Sequence, residues 1–249
     1  GKYILFVDSD DHVSDDYFKE IDCVLDEYDP DMVLFGMSFS SRDIGYGDFA
    51  RRFKGIRKDV PLMISVLLQR QLAHSLLSKV FLRSVIADNG LRFDADLRIS
   101  EDLLFNFKYM LSAKSIAIID KELYFVDESS NDSLTRKARD YLADELIRAN
   151  LGMFASLDES GLDDDAKATI RKTLSWMFYR SAYSSCMELL KYDLTATERR
   201  RRIKYICRKF NLQKIGFHGI KGAVAALPVN LCLSFLIDLI VRFRCRRRG

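Results

Sequence analysis

Gly1-Lys2-Tyr3-Ile4-Leu5-Phe6-Val7-Asp8-Ser9-Asp10-Asp11 is the stretch on which the fold turns. Residues 3 to 7 are an unbroken apolar run of strand length, the pattern of a strand buried on both faces. The run stops at a cluster of acids in which Asp8 and Asp10 are two residues apart. A chain just leaving a sheet can turn both carboxylates toward one point above the strand ends, where ligands bind in open α/β sheets. Carboxylate oxygens suit a hard divalent ion, Mg²⁺ or Mn²⁺, which also takes oxygens from a substrate diphosphate. An ordinary reading competes: Asp8 or Asp11 caps the helix that follows, or closes an Asx-turn. An isolated D-x-D favours that ordinary reading.

Downstream, Asp15 to Tyr28 has helical spacing at Tyr17, Phe18, Ile21, Val24 and Leu25, closed by Asp29-Pro30. Met32-Val33-Leu34-Phe35, within Asp31 to Ser40, is a second strand-like run. Gly45, Gly47 and Gly55 among charges and aromatics make Arg42 to Lys58 a loop or irregular edge. Helices are expected over Val60–Arg70, Lys79–Asp88 and Ser100–Leu111, and a strand pair or bent strand over Ile116–Val126. Strands alternating with helices predict an α/β layer with a mainly parallel sheet. From Tyr141 strand signals vanish, and Tyr141–Leu157, Asp165–Leu190 and Thr197–Phe210 read as helices. The boundary is expected between residues 130 and 140, giving an α/β part over 1–135 and a helical extension over 136–249.

A second acidic pair, Glu101-Asp102, opens one of these helices, with Ser100 as the expected N-cap. Acids in a first turn are favoured by the helix dipole, at roughly 0.3–1 kcal/mol, so the pair has a structural explanation of its own. The dipole also favours an ionised Asp102.

The opening stretch resembles the G-x-Y-I-x-F-x-D-S-D-D segment of glycosyltransferase family 2. The likeness continues in order through Asp31-Met32-Val33-Leu34-Phe35-Gly36, Ser78-Lys79-Val80-Phe81 and Gly90-Leu91-Arg92-Phe93-Asp94. It ends in Ile99-Ser100-Glu101-Asp102-Leu103-Leu104-Phe105-Asn106. The resemblance covers roughly the first 135 residues and implies a partial GT-A layer, Rossmann-like, of the nucleotide-diphospho-sugar transferase type, ahead of the helical region. It implies an inverting, metal-dependent hexosyl transfer from a nucleotide-sugar donor to a glycan or lipid-linked acceptor, in bacterial surface polysaccharide or glycan synthesis. Asp8 and Asp10 are then the metal ligands, with Ser9 beside them at the donor diphosphate and Asp11 a second-choice ligand. Asp102 is the base that takes the acceptor proton, and Glu101 its supporting carboxylate. The family's first half, with its nucleotide pocket, has no counterpart, and the chain starts with Gly1 directly before a strand, so an N-terminal truncation is expected. Val126-Asp127-Glu128 is acidic where relatives often carry aromatic and basic residues. The stretch Asn131–Thr135 resembles the polar loop that follows. With no Gln-x-x-Arg-Trp motif and Trp176 as the single tryptophan, a processive synthase is not expected.

The 249 residues, 48% apolar and 30% charged, are enough for a sizeable core and exclude a disordered chain. Five scattered cysteines without a Cys-x-x-Cys pair suggest neither a zinc site nor a disulfide framework, so a reducing cytoplasm is the expected compartment. No basic leader with a cleavage site precedes the first strand, so the start does not read as a signal peptide. His12, His74 and His218 are isolated in sequence, and Lys79 reads as a structural lysine at a helix start.

Charge is unevenly divided. Arg199 to Gly249 carries 14 Lys/Arg against the single acid Asp238, while the preceding residues carry 25 Lys/Arg against 35 Asp/Glu. Within 228–249, Asn230, Ser234, Asp238 and Arg242 are spaced four apart, which on one helix makes a narrow polar stripe and an Asp238–Arg242 pair. Pro228 and Asp238 make the run a poor spanning helix. Two readings stand: a peripheral anchor on the inner face of the cytoplasmic membrane, or a helix packed on the preceding bundle. Nucleic acid is not an expected partner, since the basic residues lack aromatic interleaving. Two other functions compete with glycosyl transfer. A haloacid-dehalogenase-like phosphatase also places D-x-D after a buried strand, and an inactive membrane-surface scaffold needs no chemistry.

Overall fold

The computed structural model describes residues 1–42, 44–128, 141–213, 215–216 and 218–246. The polar loop Asn131–Thr135 and the closing arginines Arg247 and Arg248 lie outside them, as does the stretch in which the domain boundary is expected. Contacts divide the chain into two compact units. One holds Gly1–Asp94, Glu101–Asp132 and Ser160–Leu162; the other holds Ala95–Ser100, Ser133–Glu159 and Asp163–Gly249.

The first unit is α/β. Its elements in order are β1 (Tyr3–Leu5), β2 (His12–Val13), α1 (Tyr17–Tyr28), β3 (Met32–Phe39), α2 (Tyr46–Phe53), β4 (Gly55–Arg57) and α3 (Val60–Gln69). After them come β5 (Lys79–Leu82), α4 (Arg83–Asp88), α5 (Glu101–Ser112) and β6 (Ile116–Val126). The sheet runs β1-β5-β3-β6-β2, with β4 also paired to β6. Only β3 and β6 pair in parallel; β1·β5, β3·β5, β2·β6 and β4·β6 are antiparallel. The sheet is therefore mixed, not mainly parallel: hydrophobic runs mark buried strands but carry no direction. The directions nevertheless bring the C-terminal ends of β1, β3 and β6 to one end of the sheet.

Alternation along the strands splits the core. Val33, Phe35, Val80, Ala117 and Ile119 lie with Tyr17 and Ile21 of α1 on one face. Phe81 belongs to the other face, where its ring meets Phe105 and Tyr109 of α5 edge-on at 5.9 and 4.9 Å. Residues 42–58, expected as a loop, contain α2 and β4. Tyr46, Phe49 and Ala50 bury one face of α2, at spacings of three and four. The Tyr46 hydroxyl donates to the carbonyls of Leu34 at 3.0 Å and Ile119 at 2.7 Å, beside a register shift between β3 and β6 at Gly36. A Cβ on Gly36 would stand 2.7 Å from the Glu122 side chain and 2.8 Å from the Tyr46 ring, so the close approach there requires glycine.

The expected helix Lys79–Asp88 also divides. Lys79 to Leu82 fills the slot between β1 and β3 as a strand, and only Arg83–Asp88 is helical. Its apolar Val80 and Phe81 are read equally well as strand or helix from so short a run; the open sheet edge on both sides decides.

The second unit is helical among its described residues: α6 (Leu142–Glu159), α7 (Asp164–Glu188), α8 (Ala196–Leu212), α9 (Gly219–Asn230) and α10 (Ser234–Arg246). Local chemistry sets the starts. Asp163 accepts from Ala166 N at 2.8 Å, and Thr195 with Glu198 forms a capping box at α8. The segment Ala95–Ser100 is fastened to α6, since Glu145 accepts from Arg98 N at 2.7 Å and Arg148 donates to Asp96 O at 2.8 Å. The tail departs from a single helix. Cys232 adopts φ 49°, and Asn211 of α8 donates to the carbonyls of Val229 and Asn230, closing α9 before α10 begins. Asp238 turns inward and pairs with Arg199 at 2.6 Å and Arg200 at 3.4 Å, not with Arg242. Two cations on α8 outcompete one neighbour on the same helix.

Candidate functional site

β1 ends at Leu5, and the chain then crosses the end of the sheet from one edge to the other. Asp11 N donates to Asp8 O at 3.3 Å, closing a tight turn through Ser9 and Asp10. His12 and Val13 next pair with Phe125 and Tyr124 on β6, where the His12 ring stacks on Phe125 at 5.1 Å. The acidic motif thus lies across the C-terminal strand ends.

Tyr124 ties it down. Its hydroxyl accepts from Asp8 N at 3.0 Å and donates to Asp11 Oδ2 at 2.7 Å, and Asp127 N donates to Asp11 Oδ1 at 2.8 Å. Both Asp11 oxygens are therefore engaged in holding the loop. Asp8, Ser9 and Asp10 are exposed. Carboxylate atoms of Asp8, Asp10 and Asp11 lie within 4.8 Å of one another. Three hard oxygen donors at that spacing fit Mg²⁺ or Mn²⁺, with Asp8 and Asp10 the open ones. Burial and the charges of Asp11 and Asp10 raise the Asp8 pKa above the ordinary carboxylate range. Such crowding of like charges is relieved by a bound cation.

Asp102 sits in the first turn of α5 beside Glu101, both half-buried. Burial, then the negative charge of Glu101, push its pKa to about 6; Lys79 counteracts and Asp8 adds to the rise. Asp8 and Asp102 carry like charges, and the repulsion from Asp8 is the last of the contributions that raise Asp102. Desolvation and two nearby anions outweigh the helix dipole in setting the direction of the shift, and at about 6 the carboxyl is still mostly ionised at neutral pH. Ser100, expected as N-cap, has φ 66°, far from the β-region conformation of such caps, and leaves strained backbone directly before the acidic pair.

Lys79 is the residue that sequence reasoning undervalued. It is the first residue of β5, fully buried, and donates to the carbonyl of Leu72 at 2.9 Å and to that of Ser75. Burial lowers its pKa to about 7, while Asp102 opposes the fall. Asn106, one helical turn after Asp102, donates to Ala73 O at 2.8 Å and Ser75 O at 3.1 Å, so the same loop is held from two sides. Tyr124 and Lys79 gave weak sequence signals: a tyrosine near a strand end, and a lysine in an apolar context. Glu128, noted only as a departure from the resemblance, accepts from the hydroxyl of Ser40 at 2.8 Å and from Ser41 N at 2.7 Å, joining the ends of β3 and β6.

No family model matches the chain. It is 28% identical over 136 residues to poly(ribitol-phosphate) beta-N-acetylglucosaminyltransferase TarS from two strains of Staphylococcus aureus. That match covers 54% of this chain and 22% of the relative, so the chain spans about a fifth of the curated relatives it matches. Among solved structures, residues 1–349 of S. aureus TarS with UDP-GlcNAc superimpose with TM-score 0.67 at 19% identity, covering 97% of this chain and 65% of that one. The same fragment with UDP gives TM-score 0.61 at 18% identity, covering 92% and 66%. The chain shares the GT-A-like α/β fold of these structures, with a helical region.

Proposed function

We propose that this chain carries the acceptor and metal side of a glycosyltransferase that moves a sugar from a nucleotide-diphosphate donor to a hydroxyl, with inversion. What supports the reading is the cluster of Asp8, Asp10 and Asp11 beyond the C-terminal end of β1, together with the charge of Asp8 acting on Asp102 at the start of α5. The solved structures of like fold that hold UDP-GlcNAc or UDP favour a UDP-sugar as donor. A bacterial cell-wall or surface glycan is the proposed product, and the cytoplasmic pool of nucleotide sugars the proposed source.

In this reading Asp102 accepts the proton of the acceptor hydroxyl as its oxygen bonds to the anomeric carbon and the bond to the diphosphate breaks. A carboxylate raised to about 6 is still ionised at neutral pH, yet is a stronger base than an ordinary aspartate. Glu101 helps to set that basicity, and Lys79 keeps the adjoining loop in place while limiting the rise. Asp8 and Asp10 would hold a divalent cation, which would supply positive charge to a departing diphosphate. Tyr124 and Asp11 fix the loop that presents them. The TarS structures of like fold favour this reading over the phosphatase alternative with Asp8 as nucleophile.

The experiment is donor turnover, UDP-sugar with Mn²⁺ and an acceptor alcohol, measured for the chain and for its longest gene-encoded form. Turnover that disappears with chelator and in Asp10→Asn and Asp102→Asn supports the reading. Unchanged turnover in both variants removes it.

A further inference from the structure

The helices α9 and α10 are built inside out. Each buries a narrow strip toward the rest of its unit, Gly222, Ala226 and Val229 on α9, and Ile237, Asp238 and Val241 on α10. Each then turns large apolar side chains to the outside. On α9 these are Ile220, Val224 and Leu227, at spacings of four and three and 59–84% exposed; on α10 they are Phe235, Leu239 and Phe243, four apart and 56–62% exposed. Leu231 and Leu233 in the elbow between the helices continue the surface. A helix that packs its charge inward and its phenylalanines outward is not arranged for water, and a patch of this kind marks an interaction surface.

Charge around the patch identifies the occupant. The only acid between Arg199 and Gly249 is Asp238, and it is buried against Arg199 and Arg200. The remaining charges there are cations. Arg200 lies over the Phe235 ring at 4.7 Å, the charges of Arg208 and Lys204 act on Cys232 in the elbow, and Lys221 and Arg242 are exposed on the two helices themselves. Apolar side chains ringed by basic ones match the boundary between acyl chains and anionic headgroups. A second copy of the same surface would set two cationic rims against each other.

The geometry decides how the bilayer is met. No single helix among the described residues is long and apolar enough to cross a membrane, and α9 meets α10 at a bend of 120°. We propose that α9 and α10 form a V-shaped interfacial anchor that lies in the surface of an anionic bilayer, elbow and apolar stripes inward, with the basic face of α8 on the headgroups. The anchor is therefore larger than the tail 228–249 and includes the first half of α9. It does not depend on the transferase reading.

The test is vesicle flotation of the full chain with phosphatidylcholine vesicles, with and without 30% phosphatidylglycerol, at low and high salt. The expected result is binding to the anionic vesicles at least roughly tenfold stronger than to the neutral ones, weakened by salt. The triple variant Ile220→Gln/Leu227→Gln/Leu239→Gln alters only side chains that are more than half exposed. It is expected to lose roughly a hundredfold in binding with an unchanged melting curve. Absence of wild-type binding, equal binding to both vesicle types, or equal flotation of the folded triple variant overturns the proposal. So does sedimentation showing that the wild type self-associates through this patch without binding vesicles. The comparison of vesicle compositions needs no variant, so a misfolded triple variant leaves the proposal open to refutation.

Discussion

The Tyr124 hydroxyl stands 2.7 Å from Asp11 Oδ2 and 3.0 Å from Asp8 N, and so fastens the acidic loop to the last strand of the sheet. The loop between β1 and β2 is otherwise a tight turn with exposed side chains at Ser9 and Asp10. Its precision comes from β6, more than a hundred residues away in sequence.

Removing that hydroxyl leaves Asp8 N and one Asp11 oxygen without their partner. Tyr124→Phe is expected to cost about 1–2 kcal/mol in denaturant unfolding, as for a partly buried hydrogen bond with a charged acceptor. Mn²⁺ affinity, read by titration calorimetry, is expected to fall several-fold. Unchanged affinity would mean that the loop is positioned by something other than Tyr124.

Asp102 sets an acid limb. Its folded pKa, about 6, lies above the 3.8 of an ordinary aspartate, so the folded chain holds this proton more tightly than the unfolded one. The stability it contributes is full below about pH 3.8 and is lost as pH rises through about 6. As base it works only when ionised, so kcat/KM is expected to rise with unit slope through a midpoint near 6. Glu101→Gln removes an anion that raises Asp102 and should move the midpoint down. A midpoint that stays put, or moves up, contradicts the pairing.

Lys79 behaves in the opposite sense. Its folded pKa of about 7 lies below the 10.5 of an ordinary lysine, so folding disfavours its charged form. Its contribution is least favourable below about pH 7, and stability recovers as pH rises from about 7 toward 10.5. Lys79→Met should abolish that part of the pH dependence and raise the Asp102 midpoint. It also takes this donor from the carbonyl of Leu72 and leaves that of Ser75 with Asn106 alone, at about 1–3 kcal/mol. Stability curves recorded at pH 6.5 and 9 separate these effects.

Gly36 tests the sheet. An added methyl would stand 2.7 Å from Glu122 Cγ and 2.9 Å from its Cα, the latter backbone that cannot swing aside. Gly36→Ala is expected to destabilise the chain by about 1–3 kcal/mol through overpacking. A melting temperature equal to wild type would show that β3 and β6 approach less closely than described.

Much of this was legible from residues alone, because local patterns carry it. The apolar runs at Tyr3–Val7 and Met32–Phe35, the periodicity of α1, α3 and α5, and the long helices after Tyr141 all follow from spacing. Three glycines concealed α2, although Tyr46, Phe49 and Phe53 keep helical spacing. Lys79–Leu82 is too short for periodicity to distinguish strand from helix, and strand direction is set by partners that spacing does not reveal. The tail pairing failed for the same reason: Asp238 finds Arg199, 39 positions away, not Arg242 on its own helix. The acids of the site were visible as types and positions. The residues that fasten and tune them, Tyr124 and Lys79, become visible only when the sheet closes.

The convergence of Asp8, Asp10 and Asp102 is tested most directly by a pH titration of the Asp102 carboxyl, by carbon-13 carboxyl NMR, with and without a diamagnetic divalent ion such as Mg²⁺. A cation on Asp8 and Asp10 cancels the Asp8 charge, which adds to burial and Glu101 in raising Asp102, so the midpoint is expected to fall below about 6 when Mg²⁺ is added, and not to fall in Asp10→Asn. A midpoint that ignores Mg²⁺ in the wild type while Mg²⁺ demonstrably binds would separate the two acidic sites and contradict a shared cleft.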